Sequence, residues 1–317
     1  MNSQIRFKSS FSNLDQPMNQ DTRSDLLFMG LILIPLILLV GILIYLPAID
    51  TFFTSLTNEN LRIRIPPKFI GFRNYTKLLS GSEFWFVTAR TMLVVVLTLP
   101  LELLIALGLA LLLTEIFPGR AMVRTLVLLP WMLPPIVNGF LWGWLLNGEY
   151  GALNGLLYQF GWIDEYITWL KNPDTQIIWV AVVQTWTRFA FPTIILLAGL
   201  QSIPSDLLDA SKVDGAKTWN RFRHITLPLL LPSFTVALTI EFIASFQIFD
   251  VIWTLTSGGS SGGAINPFTK TLMLYNYELV FRDLRIGQGA ALSYLILFLS
   301  LGVAIVFVTR LYNQAVK

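Results

Sequence analysis

The sequence contains no cysteine and a single histidine, His224. The first absence excludes disulfides, thiol nucleophiles and cysteine metal sites. The second excludes a His-Glu-x-x-His metal site and argues against a Ser-His triad. Charge is scarce as well. Only 13% of the 317 residues are Asp, Glu, Lys or Arg, while 54% are hydrophobic and mean hydropathy is +0.64. Soluble globular chains carry about a quarter charged residues, so this is an integral membrane protein. A net charge of +3 on so apolar a chain does not point to nucleic acid; the basic residues suit the flanks of membrane spans. The one glycine-rich run, Ser257 to Gly263, lacks the Gly-Lys-Ser/Thr ending of a phosphate-binding loop. It is expected to be a flexible external loop.

Long apolar runs are what the chain does have. Residues 1–25 are polar and of mixed charge, a cytoplasmic tail. Spans are expected at about 26–49, 89–114, 125–146, 176–200, 227–256 and 286–309, with a short tail at 313–317. Such lengths suit a hydrocarbon core of about 30 Å. The first run is too long for a signal-peptide core and has no small-residue cleavage site, so it is an uncleaved span. The third carries Pro130 and Pro134-Pro135 and must kink or break, because proline removes a backbone hydrogen bond and clashes with the preceding turn. In loop 147–174, Leu153, Leu156, Leu157, Phe160 and Ile163 recur at helical spacing, which suggests a helix on the membrane surface. Asn74-Tyr75-Thr76 matches a glycosylation sequon, relevant only in a secretory eukaryotic setting.

Six spans place both termini on one side. Basic residues favour that side only weakly: Arg120, Arg124, Lys212, Lys217, Arg221 and Arg223 are offset by Arg62, Arg64, Lys68, Arg73 and Lys77 in the first loop across the membrane.

The longest polar interval on the terminal side is 203–228. Pro204 stops what precedes it. Ser205 can cap a helix, and Asp206 and Asp209 fall in its first turn, where negative charge suits the dipole. Leu207, Ala210, Val213 and Ala216 make a small apolar stripe. Gly215 permits a turn or a close approach. Thr218 can cap a second helix bearing Arg221, Phe222, Arg223 and Ile225, and Pro228 is acceptable in the first turn of the next span. These residues by themselves fit either a docking knob or a solvated basic loop that anchors topology.

Asp209-Ala210-Ser211, three residues, Gly215, nine residues, then Ile225-x-Leu227-Pro228 resembles the "EAA" signature of ABC-importer membrane permeases. Asp209 replaces Glu and Ser211 replaces the second Ala. The stretch from Phe69 to Tyr75 with Phe84-Trp85 is similar to the first external loop of the sugar-importer permeases. So are Leu196 to Pro204 and Phe249 to Gly259 to the corresponding segments. The resemblance covers about residues 26–312. It is nearest the carbohydrate-uptake group, on the side of the first, maltose-permease-F-like, of its two permeases.

The resemblance implies an all-α membrane protein with six transmembrane helices and the type I ABC importer permease fold. It implies a non-enzymatic subunit of an ATP-driven, binding-protein-dependent importer in a bacterial or archaeal inner (plasma) membrane. The implied partners are a second homologous permease, two cytoplasmic ATP-binding subunits and an extracytoplasmic solute-binding protein. ATP and Mg would sit on the ATPase, with no cofactor or metal in this chain. The 203–228 loop would couple to the ATPase through Asp209, Ala210, Ser211, Asp214, Gly215, Ala216, Phe222, Ile225, Leu227 and Pro228. The solute is expected to be a sugar or glycosylated polyol of disaccharide size. His224 is then a loop residue near the coupling surface.

Polar groups inside spans are costly in lipid and face a cavity or a partner. The candidates for the solute path are Asn138, Trp142, Gln184, Trp186, Arg188, Glu241, Gln247 and Asp250, with Glu102, Trp131 and Trp253 beside them. Each has a structural alternative. Arg188 can pair with Glu241 or Glu102 to hold helices together, tryptophans belong to interface belts, Asp250 can hinge the glycine loop, and Glu102 beside Pro100 can serve helix packing. A different class of function, a stand-alone secondary carrier or channel for a small polar solute, would favour an internal repeat of spans, and none is visible between the halves.

Overall fold

A computed structural model describes residues 20–63, 65–258 and 266–315. The expected tail up to residue 19, most of the glycine-serine loop and the last two residues lie outside the described residues. Among the described residues there is no β-strand, only an isolated bridge between Thr57 and Phe69.

The chain divides into two compact units, residues 1–53 and 54–317. The first holds α1 (Gln20–Val40), a π-turn at Gly41–Tyr45, and most of α2 (Leu46–Ser55). Together they form a continuous apolar helix from Phe28 to Ser55. Pro47 lies two residues after the π-turn. A proline ring clashes with the carbonyl four residues back, here Leu43, and the wider π-turn around that residue makes room. The same device recurs in the second unit. There the π-turn Phe222–Thr226 precedes Pro228 and contains His224, four residues back. The chain therefore does not restart at Pro228 as a new span. It runs as one helix from Thr218 to Phe246.

The second unit contains α3 (Arg73–Ser80), α4 (Ser82–Thr114), α5 (Arg120–Met132), α6 (Pro135–Leu145), α7 (Ala152–Gln159), α8 (Pro173–Arg188) and α9 (Ala190–Gln201). These are followed by α10 (Ser205–Val213), α11 (Thr218–Arg221), α12 (Leu227–Phe246), α13 (Asp250–Ile252), α14 (Leu272–Tyr277) and α15 (Ile286–Ala315). At about 1.5 Å per residue, the 33 residues of α4 exceed a bilayer core of about 30 Å. Among the described residues, four helices are long and apolar enough to cross a membrane, or up to six if each of two bent pairs is one span. The α5–α6 pair bends by 95° and the α8–α9 pair by 48°. The first bend sits at Pro134-Pro135. The second falls at Phe189, where the ring of Pro192 clashes with the Arg188 carbonyl four residues back. The expected fifth span, 227–256, is likewise interrupted: α12 ends at Phe246, and α13 starts after Gln247, Ile248 and Phe249. The surface-helix pattern of loop 147–174 becomes α7, with Leu156 exposed and Asn154 buried.

Helix α4 packs against α8, α9 and α12, and α12 packs against α15. In lipid, apolar burial drives little, so close packing and interhelical hydrogen bonds carry association. Small residues permit that packing: Ala106 and Ala110 of α4, Ala237 of α12 and Ala291 of α15 are fully buried. Gly199 of α9 lies against Ser233 and Leu230 of α12, and a Cβ there would collide with the Ser233 hydroxyl. Leu103, Leu196, Leu230 and Phe242 fill the same core.

Polar ties close one end of the bundle. The Asn74 side chain is buried and donates to the carbonyls of Ser55 and Thr57 at 2.8 and 2.7 Å. The residue of the sequon is thus a structural amide. Lys270 binds Glu83 at 2.6 Å and Glu278 at 2.8 Å. Burial works against its charge, but the hydrogen bonds and charges of Glu278 and Glu83 outweigh it and raise its pKa above the ordinary lysine value.

Candidate functional site

At the other end of the bundle, α10 and α11 form a knob between α9 and α12. Its helix starts differ from the expectation. Pro204 and Lys217, both with extended backbone, occupy the capping positions, and neither helix has a side-chain cap. Ser205 and Thr218 are already helical, because the chain enters the helix one residue earlier than a hydroxyl cap requires. Asp206 lies in the first turn. Asp209, fifth in the helix, lies beyond it and pairs instead with Lys212 at 2.8 Å, both exposed.

The end of α10 is closed by its own backbone. Gly215 has φ +76° and nothing near its Cβ position. It is there for the turn, not for close approach. The Ala216 N–H donates to Ser211 O at 2.9 Å and the Gly215 N–H to Lys212 O at 3.0 Å. These two bonds form a Schellman motif around the Asp214 cap.

One face of α10 holds the knob in place. Ile203 and Ser211 are buried, Leu208 packs on the core, and Ser211 Oγ donates to Leu208 O at 2.6 Å. The other face is the expected stripe, left bare: Leu207 and Ala210 are exposed and Val213 is 88% exposed, while Ala216 is half-buried. A cleft of about 840 Å³ opens beside the knob, lined by Leu112, Leu200, Ile203, Leu208, Trp219 and Phe222 among others. Phe222 stacks on Trp219 with ring centroids 5.7 Å apart. Ile225 and Leu227 are half-buried and Pro228 is exposed. The exposed His224 ring faces Asn220 O at 3.0 Å. The coupling candidates therefore sit together, but Ser211 points inward. Leu208 and Ile203, which anchor the knob on the core, and Trp219, exposed and stacked on Phe222, were not among them. The signal was the doublet Leu207-Leu208, which puts an apolar side chain on each face.

The expected path residues separate into three groups. Asn138, Trp142 and Trp186 line one cavity of about 740 Å³, with Leu129, Trp144 and Tyr150. Trp142 lies 6.2 Å from both Trp179 and Trp186. Asn138 is nonetheless spent on structure: its Nδ2 donates to Pro130 O at 2.9 Å and Leu133 O at 3.4 Å, satisfying carbonyls at the break between α5 and α6. Trp131 stacks on Phe191 and Trp253 on Phe249.

Arg188 and Glu241 form the second group. Arg188 Nε and Nη2 reach the two Glu241 oxygens at 2.9 and 3.3 Å. Glu241 is 0% exposed and the Arg188 side chain 24%. The pair joins α8 to α12, so in this state Glu241 is closed to a solute and Arg188 keeps only its remaining N–H groups. Glu102 of α4 is equally buried, and neither of its oxygens has a hydrogen-bond partner. The third group does not line the cavity. Gln184 is buried, Gln247 is exposed at the end of α12, and Asp250 begins α13. Among the described residues, no cluster of His, Asp or Glu could hold a metal ion.

Residues 88–317 match the family described as "Binding-protein-dependent transport system inner membrane component". The chain belongs to this family. It is a multi-pass membrane permease. It is 37% identical over 277 residues to the trehalose/maltose transport system permease protein MalF of Thermococcus litoralis, covering 87% of this chain and 91% of the relative. It is 35% identical over 283 residues to the sulfoquinovosyl glycerol transport system permease protein SmoG of Agrobacterium fabrum, covering 89% and 90%. The permease also superposes on a chain of the bacterial alginate ABC transporter in complex with alginate pentasaccharide-bound periplasmic protein. That match has a TM-score of 0.76 at 23% identity and covers 93% of this chain and 98% of the other. Its fold is the type I importer permease fold.

Proposed function

We propose that the permease forms half of the translocation path of an ATP-driven importer for a sugar or glycosylated polyol of disaccharide size. A second homologous permease forms the other half. Two cytoplasmic ATP-binding subunits carry ATP and Mg and do the chemistry, and this chain does none. An extracytoplasmic solute-binding protein delivers the solute. Both termini lie in the cytoplasm. The solute class rests on the names of the relatives, which act on trehalose or maltose and on sulfoquinovosyl glycerol. The rings of Trp142 and Trp186 at the 740 Å³ cavity suit that class, since an aromatic face packs against the C–H face of a sugar ring.

The observation that carries the coupling role is the bare Leu207–Ala210–Val213 stripe on a helix anchored by Leu208 and Ser211. An apolar stripe on a rigid projection is a docking surface. Asp209, Ala210, Asp214, Gly215 and Ala216 frame it; Ser211 and Phe222 hold it from behind; Ile225, Leu227 and Pro228 join it to α12. When the ATPase pair closes, the knob moves with it and shifts the spans between two states.

The test is to replace Asp209 by Lys and Gly215 by Pro in the assembled complex. Proline cannot adopt φ +76°, so the Schellman turn is lost. The expected result is normal membrane insertion with loss of coupled ATP hydrolysis. A wild-type chain that purifies alone and transports without an ATP-hydrolysing partner would overturn the reading.

A further inference from the structure

We propose that Glu102 is a second seat for the Arg188 guanidinium, and that Arg188 passes from Glu241 to Glu102 as the transporter changes state. This rests on the family assignment and not on the identity of the solute.

The geometry supplies the parts of a two-position switch. Arg188 is the last residue of α8, directly before the 48° bend into α9. Any change in that bend moves its side chain. Pro192 leaves the Arg188 carbonyl without its helical N–H donor and its ring crowds that carbonyl, so the backbone is hinged where Arg188 sits. A guanidinium has five N–H donors in a planar fork, and the two bonds to Glu241 leave others free. Glu102 lies on α4, which packs against α8, α9 and α12. Its carboxyl is fully buried between α4 and the helices that carry Arg188 and Glu241, whose charges act on it. Yet both of its oxygens are buried without a hydrogen-bond partner.

A buried polar group with no partner is unfavourable, and a buried ionisable group inside a membrane bundle marks a functional position. Glu102 is therefore the group this state leaves unsatisfied. Moving the guanidinium to Glu102 would satisfy it and release Glu241, so each state leaves one acidic side chain waiting. Ser245 adds to this. It lies one helical turn beyond Glu241 on α12, and its buried hydroxyl is a donor beside the Glu102 carboxyl, though not in good hydrogen-bond geometry with it. A ligand that closes the ATPase pair then needs only a modest difference in affinity to choose between the two seats. Glu102 is a positioning residue here. It acts through Arg188 and touches no solute.

The experiment uses the full complex, in lipid nanodiscs, with and without vanadate trapping after ATP turnover. The expected structure of the trapped state has Arg188 hydrogen-bonded to Glu102 and away from Glu241. Glu102→Gln is expected to leave thermal stability of the complex unchanged or higher, since it removes an unpartnered acid. It is expected to slow ATP hydrolysis by about tenfold, and Glu102→Asp should recover part of the rate. Arg188 seated on Glu241 in both states, or Glu102→Gln hydrolysing at the wild-type rate, would refute the exchange. If no ATP-binding subunit co-purifies, it is the importer reading that fails instead.

Discussion

The knob at 203–228 and the buried acid-base cluster at Arg188, Glu241 and Glu102 solve opposite problems. Within the knob, every bond that shapes α10 is local. The Schellman pair closes over five residues or fewer, and the Asp209–Lys212 pair spans three. Its outer face is left bare and its charges stay in water. In the cluster, the decisive bond joins residues 53 positions apart in sequence, and all three acids and bases come from different helices. Exposed ion pairs contribute little because water screens them. A buried pair contributes little net stability when intact but is expensive to break, because the remaining charge has nowhere to go. The knob thus leaves an apolar face uncovered, and the cluster ties helices together.

Three sets of substitutions bear on that contrast, from the largest effect to the smallest. Glu241→Ala combined with Glu102→Gln strands Arg188 in the bundle and is expected to cost about 3–5 kcal/mol, read as a fall in unfolding temperature of the purified permease, while Glu241→Ala alone should cost less because Glu102 takes the guanidinium. Adding Arg188→Met should recover most of the loss, since it removes the stranded charge. Asn138→Ala frees the carbonyls of Pro130 and Leu133 at the 95° break. The expected cost is about 1–3 kcal/mol, measured the same way, with greater protease sensitivity between α5 and α6. Lys212→Ala removes an exposed pair and is expected to cost no more than about 0.5 kcal/mol. The contrast between the two regions would collapse if Lys212→Ala destabilised the permease as much as Asn138→Ala does.

The same division governs what could be read ahead of the structure. The break at Pro134-Pro135 was legible because proline acts on its own turn. The bend at Phe189 has a local cause too, Pro192 acting on the Arg188 carbonyl four residues back, but the expected fourth span runs straight through it. Gly215 was legible as a turn residue. Ser205 and Thr218 were misjudged as caps, because Pro204 and Lys217 already supply the extended backbone just before each helix. Asn138 was picked out as an intramembrane polar residue. Its task, satisfying carbonyls five and eight residues back, follows from how sharply the chain turns there.

The sequence by itself determined that the chain is a membrane protein and where its apolar helices run. It also determined that a polar interval with helix-start, turn and proline signals interrupts them at 203–228. Those properties follow from hydrophobicity, helical period and the backbone limits of proline and glycine, all of which act within a few residues. Only the tertiary structure decided that Arg188 takes Glu241 and leaves Glu102 unpartnered. It alone decided that α10 turns Leu208 inward and Leu207 outward, and that Asn138 shares a cavity with Trp142 and Trp186. Each of these depends on which helices lie side by side. In a bundle where nearly every span is apolar all round, that choice is made by close packing of small residues and by a few buried polar bonds between distant parts of the chain.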